Sequence, residues 1–227
     1  MLTVAALLPA VVLMVYVYRK DRVEKEPIGL LFRIFVFGML STIPTIIMEL
    51  VLEKALGVFF APESTLYLIL EAFVVVALTE EFWKRWAVRA AAWKNKAFNY
   101  RFDAYVYCMF SALGFAALEN ILYVFQSGME TALLRAVTAV PSHAIHGMIM
   151  GSFLGEAKLW ETRGNINRKK RYMRLALFMP ALAHGIYDYS LMSGSTLMSL
   201  FFIVFVVCVD IFAIRHINKA ARRDRRI

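Results

Sequence analysis

The sequence predicts an all-α, polytopic membrane protein of about seven transmembrane helices, with its N-terminus outside and its C-terminus in the cytoplasm. Sixty per cent of the 227 residues are apolar and mean hydropathy is +0.60, well beyond the roughly 45–50% apolar content of soluble domains. Apolar runs near 2–18, 30–51, 65–83, 103–125, 131–157, 172–192 and 196–214 have the length of about 20 residues that crosses about 30 Å of hydrocarbon as a helix. Nearly all of the 26 basic residues fall in alternate connections, after the first, third, fifth and seventh runs. Lysine and arginine collect on the cytoplasmic side, which fixes the orientation.

The first run lacks a basic leader and is followed by Arg19-Lys20-Asp21-Arg22, so it reads as a retained anchor and not as a cleavable signal. Pro44, Pro141 and Pro180 fall inside the second, fifth and sixth runs, where each removes a backbone donor. After the third run, Trp83, Trp86 and Trp93 interleave with Lys84, Arg85, Arg89 and Lys94, a pattern expected of an amphipathic interfacial helix or anchor. Lipid cannot satisfy open backbone groups, so runs of this length are read as helices, and residues 1–227 as one integral-membrane domain. The net charge of +9 belongs to the cytoplasmic loops and to a tail, Lys219 to Arg226, suited to anionic lipid, and not to a nucleic-acid surface. Cys108 and Cys208 lie inside runs and read as small apolar residues, with neither a disulfide nor a redox site implied.

Ionisable residues at the bilayer centre cost about 2.5–3.5 kcal/mol each on insertion scales, so their presence points to function. The third run ends in Glu80-Glu81, the fourth holds Glu119-Asn120, the fifth His143 and His146, and the sixth His184 and Asp188. Glu80 with Lys84, Glu81 with Arg85, and His184 with Asp188 are i,i+4 neighbours on a helix. Glu80 and Glu81 point about 100° apart, so one is expected to catalyse and the other to brace. At about 1.5 Å per residue, Glu80, Glu119, His143 and His184 fall roughly 10–20 Å below the outer surface, where four helices can present them to one cavity. His146 reads more as a core histidine, and Glu49, Glu53, Glu71 and Asp210 as structural or interfacial.

Such a set suits hydrolysis of a peptide bond. A glutamate can activate water, His184 or His143 can donate to the oxyanion, Asp188 can fix the tautomer of His184, and Asn120 is a further donor. Ser142 adjoins His143 but cannot face it on a helix, and no Gly-x-Ser-x-Gly elbow occurs. A zinc ion on Glu80, His143 and His184 would also supply hydrolytic chemistry, although the His-Glu-x-x-His motif is absent. The residues therefore leave the cofactor open between none and zinc. Two other classes remain, an ion or proton transporter built on the buried acids and histidines, and a binding protein that shelters a membrane partner.

Over essentially its whole length the chain resembles the PrsW family of bacterial site-1 proteases of anti-sigma factors, related to the CAAX-prenyl protease (ABI) superfamily. The resemblance rests on the stretch Lys20 to Pro27, on Glu80-Glu81-x-x-Lys84, on Phe115-x-x-x-Glu119-Asn120, on Ser142-His143-Ala144 followed by Gly147, and on His184-Gly185-x-Tyr187-Asp188. It implies a bacterial multi-pass membrane protein that makes the first, extracytoplasmic cut in a single-span anti-sigma factor. That cut starts the regulated proteolysis that frees an extracytoplasmic-function sigma factor. The implied partners are the anti-sigma factor and the lipid bilayer, with no nucleic acid. By the same resemblance Glu80 matches the water-activating glutamate, Glu81 its neighbour, and His184 the oxyanion-stabilising position. The chain departs from the wider superfamily in having Glu119 where histidine is usual and Asp188 where asparagine is usual, and that superfamily is described both as glutamic and as metal-dependent.

Overall fold

The computed structural model describes residues 2–227. Its helices are α1 (Leu2–Lys20), α2 (Ile28–Phe59), α3 (Thr65–Leu70), α4 (Thr79–Ala92), α5 (Asp103–Val137), α6 (Ala139–Thr162), α7 (Ile166–Met192) and α8 (Thr196–Arg222). A π-helical segment, Glu71–Leu78, joins α3 to α4 without a break. Among the described residues the helices thus form seven rods, each enclosing most of one apolar run. Leu2–Lys20, Ile28–Phe59, Asp103–Thr162, which holds both α5 and α6, and Thr196–Arg222 are long and apolar enough to cross a membrane. The two remaining rods are the more polar ones: Glu80, Glu81 and Lys84 lie on one, His184 and Asp188 on the other. Large apolar side chains such as Phe59, Val58 and Leu197 lie at least two-thirds exposed, a surface that suits hydrocarbon and not water. The protein is a multi-pass helical membrane protein.

Helix α5 is the hub, packed against α1, α2, α4 and α6. Between α5 and α6 the backbones approach closely through Gly147, Gly151 and Gly155, one per turn on a single face. A Cβ on Gly147 would lie 2.8 Å from the Cys108 carbonyl oxygen, and one on Gly151 2.7 Å from that of Ala104. Small residues at such crossings are the usual means of bringing membrane helices together. His143 is one turn before Gly147 on the same face, so this contact also sets the position of the histidine.

Three local features depart from the simple reading of the runs. The π-helical segment widens the helix just ahead of Glu80-Glu81, and the Thr79 hydroxyl donates to the Val74 carbonyl, five residues back, at 3.4 Å. Such turns re-aim the residues that follow them, and here both glutamates are buried. Where an outer loop was expected between the fourth and fifth runs, α5 breaks at Gly128 (φ 83°, ψ −165°) and resumes to Val137. Only glycine takes up that backbone conformation readily. Pro141 then falls in the first turn of α6, where its missing N–H has no intrahelical partner to lose. The interfacial helix expected after the third run is present to Ala92, with Trp86 and Arg89 outward and Ala87, Val88 and Ala91 inward. Lys84, expected among its basic residues, is instead fully buried.

At the basic end of the bundle, Glu26 is buried and accepts a hydrogen bond from the Tyr107 hydroxyl. Burial pushes its carboxyl up to about 7. The tail is tied to the α4–α5 connection: the Ile227 N–H donates to the Asn99 carbonyl at 2.7 Å, and the Phe102 N–H to Asp224 Oδ1 at 2.9 Å.

The same substitution is expected to act oppositely at two glycines. Gly151→Ala forces a methyl into the Ala104–Tyr105 backbone and should cost about 1–3 kcal/mol. Gly57→Ala, with nothing within 4 Å of its Cβ, should be neutral or stabilising by up to about 1 kcal/mol. Thermal unfolding in detergent measures both, and an unchanged midpoint for Gly151→Ala would contradict the packing described.

Candidate active site

A cavity of about 660 Å³ opens near the bundle end that carries connections 60–64 and 193–195. Glu49, Glu80, Glu119, His143, His184 and Asp188 line it, from α2, α4, α5, α6 and α7. The residues expected from four separate runs thus meet in one place.

Lys84 is at the centre of the polar set. Its ammonium donates to Glu80 Oε2 at 2.7 Å, to Glu81 Oε1 at 2.8 Å and to His143 Nδ1 at 2.9 Å, and lies 4.4 Å from the centre of the Phe115 ring. Since Lys84 has only donors, His143 Nδ1 must accept, which leaves its Nε2 carrying the proton. That nitrogen donates to Glu119 Oε2 at 2.8 Å. Glu119 is held in turn by Arg135 at 2.9 Å. His184 is held at Nδ1, 3.2 Å from Glu81 Oε1, and its Nε2 comes within ion-pair distance of Asp188 Oδ2, at 3.2 Å, without a hydrogen bond to it. Glu80 Oε2 is 3.9 Å from the Nδ1 atoms of both His143 and His184.

The two adjacent glutamates occupy different layers. Glu80 reaches the cavity, whereas Glu81 is behind it with no exposed surface. His146 is in the rear layer too, stacked on His184 with ring centres 4.5 Å apart. The i,i+4 pairs Glu80–Lys84 and His184–Asp188 form; Glu81–Arg85 does not, because Arg85 donates to the Met173 carbonyl at 2.7 Å. Ser142 approaches His146 Nε2 at 3.3 Å and not His143. Asn120, expected as a possible oxyanion donor, turns away: it donates to the Ala6 carbonyl and accepts from Arg135 Nε, each at 2.8 Å. It links α1, α5 and the segment beyond Gly128.

Sequence reasoning missed Arg135 and the central place of Lys84. Arg135 had a signal, as a lone arginine inside an apolar run, but its route back to the cavity depends on the helix break at Gly128. Lys84 was paired with Glu80 by spacing, but it stood among the basic residues of an expected interfacial helix.

Carboxylates and imidazoles are fitting donors for zinc, and Glu81, His143 and His146, or Glu80, Glu81 and His184, offer atoms within 4.8 Å of one another. Glu81 Oε2 and His146 Nδ1 are buried without a hydrogen-bond partner. A catalytic zinc needs three protein ligands and one position open to substrate. The Lys84 ammonium occupies two members of each group, Glu80 and Glu81 in the one and Glu81 and His143 in the other, and all its protons are used. The spare donors on Glu81 and His146 do not line the cavity. As arranged, the residues do not fit a catalytic metal.

A family model described as PrsW family intramembrane metalloprotease matches residues 26–214. The chain is similar to the Protease PrsW of Oceanobacillus iheyensis, at 37% identity over 95% of this chain and 94% of that protein. It is also similar to those of Halalkalibacterium halodurans, at 34% over 99% of each, and Bacillus subtilis, at 32% over 95% and 94%. No solved structure matches the chain.

Removing the Arg135–Glu119 contact should expose their dependence on each other. In a double-mutant cycle, Arg135→Met and Glu119→Gln are expected to couple by about 0.5–3 kcal/mol. The readout is unfolding in detergent, and additive effects would mean that the pair does not hold the segment after Gly128.

Proposed function

This chain belongs to the PrsW family of intramembrane metalloproteases, and from that membership and its cavity we propose that it makes the first, extracytoplasmic cut in a single-span anti-sigma factor. Membership makes it a membrane-embedded peptidase. The finer reading is supported above all by one observation: Glu80, His143 and His184 share a cavity at the end of the bundle away from the basic loops. With lysine and arginine on the cytoplasmic side, that cavity faces outward, where the juxtamembrane segment of a single-span substrate enters. The cut leads to release of an extracytoplasmic-function sigma factor.

In this reading Glu80 is the general base. Its Oε2 is held by Lys84, which leaves Oε1 for a water molecule. As Glu80 takes the proton, the hydroxide attacks the scissile carbonyl and forms a tetrahedral oxyanion. As an imidazolium between Glu81 and Asp188, His184 stabilises that charge through its Nε2–H, while His143, whose one N–H is given to Glu119, braces Lys84 and through it Glu80. Collapse breaks the C–N bond, and the proton on Glu80 passes to the departing amine. Because the donor set does not fit a metal, no step passes through one.

Purified wild-type protein, Glu80→Gln and His184→Ala, each acting on a candidate anti-sigma factor, test the assignment. Glu80→Gln should slow cleavage by about 10²–10⁴-fold and His184→Ala by about 10²–10³-fold, with both variants still folded in the membrane. Normal cleavage by both would remove the mechanism. Cleavage of other membrane peptides but of no anti-sigma factor would remove the substrate and leave the peptidase.

A further inference from the structure

We propose that Lys84 supplies, as a built-in ammonium, the cation that a divalent metal would otherwise provide to this carboxylate–imidazole cluster. This rests on the reading of Glu80 and His184 as hydrolytic residues. The lysine has no exposed surface, and an ion so buried carries a desolvation penalty of several kcal/mol. It is retained by a complete shell: two carboxylate oxygens, one ring nitrogen and one aromatic face, at 2.7, 2.8, 2.9 and 4.4 Å. An ammonium has three protons, and all three are engaged.

The three partners of Lys84, Glu80 Oε2, Glu81 Oε1 and His143 Nδ1, are shared with both groups of side chains that could hold a metal, Glu80, Glu81 and His184 in one and Glu81, His143 and His146 in the other. Zinc bonds to carboxylate oxygen and to imidazole nitrogen are about 2.0–2.2 Å long, so a zinc ion on these atoms would sit against the ammonium nitrogen, charge against like charge. Lysine and metal therefore exclude each other here. Lys84 does not line the cavity, so it is a positioning residue and not one that touches substrate. It turns Glu80 so that Oε1 is free, and by taking His143 Nδ1 as acceptor it directs the Nε2 proton to Glu119. Its backbone is fixed as well, the Ser111 hydroxyl donating to the Lys84 carbonyl at 3.0 Å.

The test uses full-length, untagged protein in detergent, equilibrated with zinc and desalted, and counts bound metal per chain by elemental analysis. Wild type and Lys84→Arg, which keeps a cation, should retain no stoichiometric zinc. Lys84→Met, which frees both carboxylates and the ring nitrogen, should retain about one zinc ion and lose cleavage by roughly 10²-fold or more. Wild-type cleavage should be unmoved by a strong chelator, and Lys84→Arg should cleave faster than Lys84→Met.

A wild-type protein that holds about one zinc, and releases it on Glu80→Gln or His143→Ala, would overturn the proposal. So would wild-type rates in Lys84→Met. The metal count needs no substrate, so it stands whether or not an anti-sigma factor is cut. If Lys84→Met does not fold, the wild-type metal count and the chelator decide.

Discussion

An ammonium group placed among apolar helices must bring its countercharges with it, and the arrangement around Lys84 follows from that requirement. Two glutamates on its own helix approach it from three and four residues back, and a histidine approaches from α6. Each partner then needs its own support. His143 leans on Glu119, Glu119 on Arg135, and Arg135 on Asn120, which reaches α1. On the other side Glu81 leads to His184 and Asp188 on α7. The polar residues around Lys84 thus form one connected network, and removing a member leaves a buried group unpaired, which costs more than the contact itself gains.

Such a network needs helices close enough for side chains to meet, and its geometry is set by backbone contacts made elsewhere. The crossing of α5 and α6 at Gly147 and Gly151 brings His143 within reach of both Lys84 and Glu119. At Gly185, on α7, an added Cβ would meet the ring of Phe73 in the π-helical segment. The segment that re-aims Glu80 and Glu81 therefore packs beside His184, so the orientation of the acids and the position of the histidine share one contact.

Much of this was legible in the amino-acid sequence, for a definite reason. In a membrane protein the hydrophobic runs must be helices, so the seven rods follow from composition and length. Charged residues inside those runs stand out, which is why Glu80, Glu81, Glu119, His143, His184 and Asp188 could be named as a group. What escaped depends on backbone geometry that no periodicity encodes. The π-helical segment changes the phase of the helix just before the acids. The break at Gly128 turns Arg135 from an apparent member of the fifth run into the partner of Glu119. Asn120 is adjacent to Glu119, yet it faces α1. Lys84 belongs by sequence to a basic loop and by structure to the interior, a distinction set by where the helix passes below the surface.

The length of α2 has a further consequence. At about 1.5 Å per residue its 32 residues extend roughly 48 Å, against a hydrocarbon layer of about 30 Å. The helix must tilt or stand above the layer, and its last third, which carries Glu49, Glu53 and Lys54, is the part suited to stand clear of hydrocarbon. Glu49 is also part of the cavity wall. That wall is therefore taller than the hydrocarbon beside it, and it carries the hydrated zone downward along its own polar side chains. A reaction that consumes water in an oily surrounding needs such a well, and here a mismatch between helix and bilayer supplies its rim.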